Sequence, residues 1–96
     1  MVKHIVCYKL KEPSEELFAA TKEIFLSMKG RVPELRDIAV GVDALHSARS
    51  FDMALETVFD DFAAMERYQK NEYHVNTVKK HMHAIVDKSV SVDYEF

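Results

Sequence analysis

Apolar residues occupy both faces of this chain's strands, and that pattern constrains the fold more than any other feature. Side chains alternate along a strand with period two, so a sheet with one wet face shows one clean apolar set. In the opening segment Val6, Tyr8 and Leu10 point one way while Ile5 and Cys7 point the other. In the last segment Val90, Val92, Tyr94 and Phe96 alternate with Ser89, Ser91, Asp93 and Glu95. One layer of helices covers only one face of a sheet. The patterning therefore predicts a homodimer in which a second copy covers the other face.

The remaining elements follow from periodicity and end signals. Residues 3–10 alternate and are rich in β-branched side chains, which predicts a first strand. Pro13-Ser14-Glu15-Glu16 predicts a helix start, with Ser14 as cap and two carboxylates at the positive end of the dipole. Leu17, Phe18, Thr21, Ile24, Phe25 and Met28 recur at helical spacing, and Gly30 reads as the stop. Leu35–Asp43 is a second strand with Ile38, Val40 and Val42 on one side, and Ala44–Ser50 is a polar loop. Phe51–Phe59 is a third strand with Phe51, Met53, Leu55 and Phe59 on one face. Asp60 or Asp61 caps the next helix, expected to bury Phe62, Met65 and Tyr68. After a break near Lys70-Asn71, a final helix from about Val75 to Val86 is expected to bury Val75, Val78, Met82, Ile85 and Val86, and a fourth strand ends the chain. This order, β-α-β-β-α-(α)-β, predicts one α+β domain over residues 1–96. It is a ferredoxin-like four-stranded antiparallel sheet with its helices on one face.

Composition narrows the function classes. The net charge is −3, with 13 basic and 16 acidic residues mixed along the chain. No Lys/Arg stripe suggests nucleic acid or an anionic membrane as partner. No segment is apolar for long enough to span a bilayer, and Val2-Lys3-His4 leads into a strand rather than a signal peptide. A reducing cytoplasm is the expected location, and the single Cys7 is expected to serve as a small hydrophobe. Only Gly30 and Gly41 occur, so there is no glycine-rich phosphate loop, and no serine stands in a nucleophile elbow. His81 and His83 are two apart and point to opposite sides of a helix, while His74 and His81 are two turns apart. Neither a metal nor any other cofactor is expected. His83 and Asp87, at i,i+4 spacing, are expected to form a solvated pair, and His46 to lie exposed in its loop.

Four stretches together carry a family resemblance: Val2-Lys3-His4-Ile5-Val6, the run from Arg49 through Phe51-Asp52-Met53 to Leu55, Tyr68 followed by His74, and the ending Val92-Asp93-Tyr94. In this order they resemble the stress-responsive A/B barrel domain family (Dabb), small proteins whose ferredoxin-like units pair through their sheets into a dimeric α+β barrel. The combination spans nearly the whole chain, and no single motif is specific. Where the family often reads His-Pro-x-His, this chain has Asn71-Glu72-Tyr73-His74. Many members are stress-induced, stable oligomers. One plant branch closes a linear polyketide by aldol chemistry, using a strand His, a Tyr and a second His without a redox cofactor. The matching positions are His4, Tyr68 and His74, which the resemblance implies as catalytic candidates.

On a continuous helix Tyr68 and His74 lie about 240° apart, so they meet only if the chain turns near Lys70-Asn71-Glu72. His74 would then begin the final helix, where the dipole opposes positive charge and keeps the imidazole a neutral base. Tyr68 would hydrogen-bond a developing enolate while His4 orients substrate or carries protons. Val6, Tyr8, Phe25, Val40 and Val92 are the expected pocket walls. A His–Tyr pair under a helix serves equally well as a satisfied structural contact. Three readings follow: a binder of a small apolar or aromatic molecule in a helix–sheet pocket, a cofactor-independent lyase or cyclase, and a stable oligomer with no ligand.

Overall fold

A computed structural model describes residues 1–96. Its sheet is built around β1 (Val2–Leu10), flanked by β3 (Met53–Phe59) and β4 (Val86–Glu95), with β2 (Asp37–Val42) outside β3. All three pairings are antiparallel, in the order β2-β3-β1-β4. Helices α1 (Glu15–Leu26), α2 (Phe62–Lys70) and α3 (Lys80–Ile85) lie on one face, and a π-helical segment, His74–Lys79, runs directly into α3. This is the ferredoxin-like arrangement that the pattern predicts.

Local signals set the helix ends. The Ser14 hydroxyl accepts the Leu17 N–H at 3.1 Å, which satisfies one of the free donors of the first turn of α1. Gly30 takes φ +82°, the left-handed conformation that reverses the chain after α1. Asp61 rather than Asp60 caps α2, accepting from the Ala64 N–H at 2.8 Å. Ala64 and Tyr68, one turn apart, are the buried residues of this helix. Phe62, expected in the core, is 45% exposed, because six residues, about 240° around the helix, separate it from Tyr68. In the final helical stretch the stripe His74, Val78 and Met82 is buried, whereas Val75, also expected inside, is exposed.

Strand limits also shift. β3 starts at Met53, not Phe51, because Asp52 closes the end of β1: its N–H donates to the Tyr8 carbonyl and its carboxylate accepts the Leu10 N–H, both at 2.8 Å. β4 starts at Val86, so helix α3 stops before Asp87 and the expected His83–Asp87 pairing cannot form along one helix. The core between sheet and helices contains Leu10, Phe25, Met28, Met53, Leu55, Phe59, Tyr68 and Val78, each almost wholly buried.

Register decides which face each β4 residue uses. Val92 stands opposite Ile5 and Val90 opposite Cys7, while Asp93 stands opposite His4 and Ser91 opposite Val6. His4 and Val6 are on the helix-covered face, so Asp93 and the serines share it. Val90, Val92 and Tyr94 lie on the uncovered face with Ile5 and Cys7. Val90 and Val92 are 53% and 61% exposed there, and Tyr94 packs edge-on to Phe96.

Candidate functional site

His4, Tyr68 and His74 come together on one wall of a cleft of about 770 Å³ between β1 and the final helical stretch. Their meeting depends on the break at Asn71, whose backbone turns extended (φ −60°, ψ 132°) and ends α2. The Asn71 side-chain oxygen then accepts the His74 N–H at 3.1 Å and starts the next helical segment. The two rings, which a straight helix would hold apart, stack with centroids 4.0 Å apart and planes inclined by 25°. His4 approaches Tyr68 edge-on, with centroids 6.5 Å apart. A π-helical turn carries His74, as such turns often do at functional positions.

Hydrogen bonding sorts the nitrogens of the two histidines. His74 Nδ1 donates to the Tyr68 carbonyl at 3.1 Å, which leaves Nε2 as the unprotonated nitrogen of a neutral ring. Burial pushes His74 down to about 4, with the Lys79 cation and His4 adding to the effect; the Tyr68 carbonyl opposes it. The expected neutral state is present, but removal from water is its main cause rather than the helix start. His4 Nδ1 donates to Asp93 Oδ1 across the β1–β4 pair. A carboxylate in that place fixes the ring tautomer and leaves Nε2 for a ligand.

Burial raises Tyr68 well above the usual phenol range, with Tyr8 adding, and pushes Tyr8 itself up to about 12. Both are therefore un-ionised donors near neutral pH. The Tyr68 hydroxyl makes no hydrogen bond within the chain, yet no fully enclosed polar side-chain atom lacks a partner. Its oxygen consequently meets the cleft.

Of the expected walls, Val6 and Tyr8 line the cleft, joined by Val78, Met82 and Val86. Phe25 is fully buried behind them, its ring stacked on Tyr8 at 5.6 Å. Val40 packs against the core from β2, two strands away from β1, and does not line the cleft. Val92 lies on the opposite face of the sheet, because one residue of phase separates it from Asp93. Asp93, bonded to His4, is the candidate site residue that the sequence pattern did not single out. Its signal was a carboxylate in phase with Ser89 and Ser91, on the strand that pairs antiparallel with β1 and sets it opposite His4.

The other histidines are dispersed. His81 bonds through Nε2 to the Thr21 hydroxyl at 2.9 Å and ties α3 to α1, while burial lowers its pKa. His83 stands on the cleft rim, and His46 is in its loop beside Asp43. No three His, Cys, Asp or Glu side chains converge as a metal site would require.

An antiparallel four-stranded sheet, helices on one face and a His/Tyr-lined cleft between them define a ferredoxin-like α+β domain with a candidate small-molecule site. The chain belongs to the Stress responsive A/B Barrel Domain (Dabb) family, whose profile matches residues 2–96. A dimeric protein of unknown function and ferredoxin-like fold from Bacteroides fragilis is 26% identical, with 99% of this chain and 95% of that one covered at a TM-score of 0.80. An Arabidopsis thaliana protein superposes with a TM-score of 0.86 at 18% identity, covering 100% and 95% of the two chains. Hydroxynitrile lyase from Passiflora edulis superposes at 0.80 with 20% identity, covering 97% and 90%. At such identities the last two establish the shared fold alone. No functionally curated protein matches the sequence.

Proposed function

We propose that this protein binds a small apolar or aromatic molecule in the cleft between β1 and the final helical stretch, as a homodimer closed through the open face of its sheet. One observation carries the ligand reading. His4, Tyr68 and His74 converge on a cleft of about 770 Å³ whose other walls include Val6, Tyr8, Val78 and Met82. A concave cleft of this volume in which apolar side chains stand beside convergent polar ones suits a small molecule. The dimer reading draws support from the exposure of Val90, Val92, Tyr94 and Phe96, and from relatives described as dimeric. Titration with neutral aromatic probes tests it: saturable binding that a tryptophan at Ser89, an exposed cleft residue, abolishes is the expected result. Binding unchanged in Ser89→Trp overturns the assignment.

A second reading, a cofactor-independent lyase or cyclase, is favoured by Tyr68, whose hydroxyl has no partner in the chain and whose ring stacks on His74 and meets His4 edge-on. His74, lowered to about 4, is a weak base. His4, with Asp93 behind it to stabilise an imidazolium, is the better proton acceptor. In this reading the C–H bond next to a substrate carbonyl breaks, its proton passes to His4 Nε2, and its electron pair moves into an enolate. Tyr68 donates a hydrogen bond to the enolate oxygen, and the neutral His74 ring holds Tyr68 in place by stacking. The carbanion then attacks a second carbonyl of the same molecule, and His4 returns the proton to the new alkoxide. Turnover of a β-polyketone by the parent, lost in His4→Ala and in His74→Ala with folding retained, is the expected result. A parent that turns nothing over, with a large stability loss in His74→Ala, assigns the cluster to architecture instead.

A further inference from the structure

We propose that the cleft selects ligands carrying one anionic group, with the apolar or aromatic body over Tyr68 and a carboxylate at a lysine rim; this rests on the cleft being a small-molecule site. The chain as a whole is acidic, at −3, yet no Asp or Glu lines the cleft. Lys11, Lys79 and Lys80 do line it, with His83 beside them. None of the three ammonium groups is paired with a carboxylate, although Lys3, Lys70 and Arg36 elsewhere on the surface are. Lys79 Nζ donates only to the Gln69 carbonyl, at 3.1 Å. Asp93, which reaches the floor through His4, is committed to that ring.

Three different elements hold this rim. Lys79 ends the π-helical segment, Lys80 begins α3, and Lys11 follows β1, where its N–H donates to the Ile85 carbonyl at 2.9 Å. That bond ties the end of β1 to the end of α3, so segments far apart in sequence bring their lysines to one cleft. A cleft edged by one sign of charge over an apolar floor concentrates the field inside it and attracts counter-charged ligands. The field reaches the floor, since the Lys79 cation is among the causes that hold His74 down. An aromatic carboxylic acid matches both ends of such a site. A wholly neutral hydrocarbon satisfies the floor and leaves the lysines idle.

Two fluorescent probes that share one apolar body separate these cases: 8-anilinonaphthalene-1-sulfonate, a monoanion, and N-phenyl-1-naphthylamine, its uncharged counterpart. In the variant Lys11→Gln/Lys79→Gln/Lys80→Gln, affinity for the sulfonate is expected to fall about tenfold at low salt, as the loss of three weak exposed contacts implies. Affinity for the naphthylamine is expected to stay within about twofold, which also reports that the variant is folded. About 1 M salt, where the screening length is ~3 Å, is expected to weaken sulfonate binding to the parent and leave the naphthylamine unaffected. 2-Naphthoate is expected to displace the sulfonate better than 2-naphthol does. Equal responses of the two probes to the substitutions overturn the anion preference while leaving the cleft a ligand site. If neither probe binds, or if both remain bound in Ser89→Trp, the ligand reading falls and this inference with it.

Discussion

Replacing Val92 with aspartate separates the dimer reading from the pocket reading in one step. Val92 is 61% exposed on the open face, opposite Ile5. Full burial of a valine is worth about 1.5–2 kcal/mol, so hiding the exposed portion contributes about 1 kcal/mol. A two-fold dimer uses the same patch on both copies, which doubles the term to about 2 kcal/mol. Aspartate forfeits that gain and places a carboxylate on each side of the contact, costing about 2 kcal/mol more unless water follows it in. A total of about 4 kcal/mol raises the dimer dissociation constant about a thousandfold. β4 is an edge strand and Val92 makes little of the protomer's core, so the protomer itself is expected to stay folded. Sedimentation equilibrium at micromolar concentration measures the change, with far-UV circular dichroism as the fold control. Val75→Asp, an exposed valine on the helical side, is expected to leave association unchanged. A Val92→Asp protein that remains as tightly dimeric as the parent, or a parent that sediments as a single copy, refutes the reasoning.

The cleft yields further outcomes. Tyr68→Phe removes a hydroxyl with no partner in the chain, so thermal stability is expected to change by less than about 0.5 kcal/mol while turnover or ligand affinity falls. A large stability loss would mean that the hydroxyl is structural. For His74, the folded pKa of about 4 lies below the ordinary 6.5, so between those values the unfolded chain binds the proton more readily. The stability this group supports is therefore complete above about pH 6.5, declines as pH falls, and stops declining near pH 4. With allowance for solvent reaching the cleft, the term is about 2 kcal/mol at most. Urea unfolding at pH 7 and pH 5 is expected to show a smaller pH difference in His74→Gln than in the parent, and equal differences contradict the burial argument. Ser14→Ala is expected to cost about 1 kcal/mol through the lost cap of α1, read by the same unfolding assay.

The parts of the site that were legible in advance are those that local chemistry fixes. The polar break at Lys70-Asn71-Glu72 foretold that the chain turns between Tyr68 and His74, and Asn71 makes that turn. Alternation placed His4 on the same face as Val6 and Tyr8, where all three line the cleft. Val92 and Asp93 show where such reading stops. In β4 both parities are plausible from composition, and only hydrogen bonding to β1 selects one. The apolar set went to the open face, and the carboxylate came to His4. Phe62 failed for a reason already in the spacing: it stands six residues from Tyr68, about 240° around the helix, so burying Tyr68 turns the phenylalanine out to solvent.

Taken alone, the order of residues determined the element sequence, the antiparallel α+β class and the presence of more apolar strand surface than one helical layer covers. These rest on periodicity and end signals, which act over a few neighbouring residues. The tertiary structure decided which residues meet: Asp93 with His4, His74 against Tyr68, and Lys11 with Lys79 and Lys80 on one cleft. Each of those encounters joins segments whose relative phase is set by strand register, a helix cap or a chain break. A shift of one residue in any of them leaves the local pattern intact and dismantles the cleft.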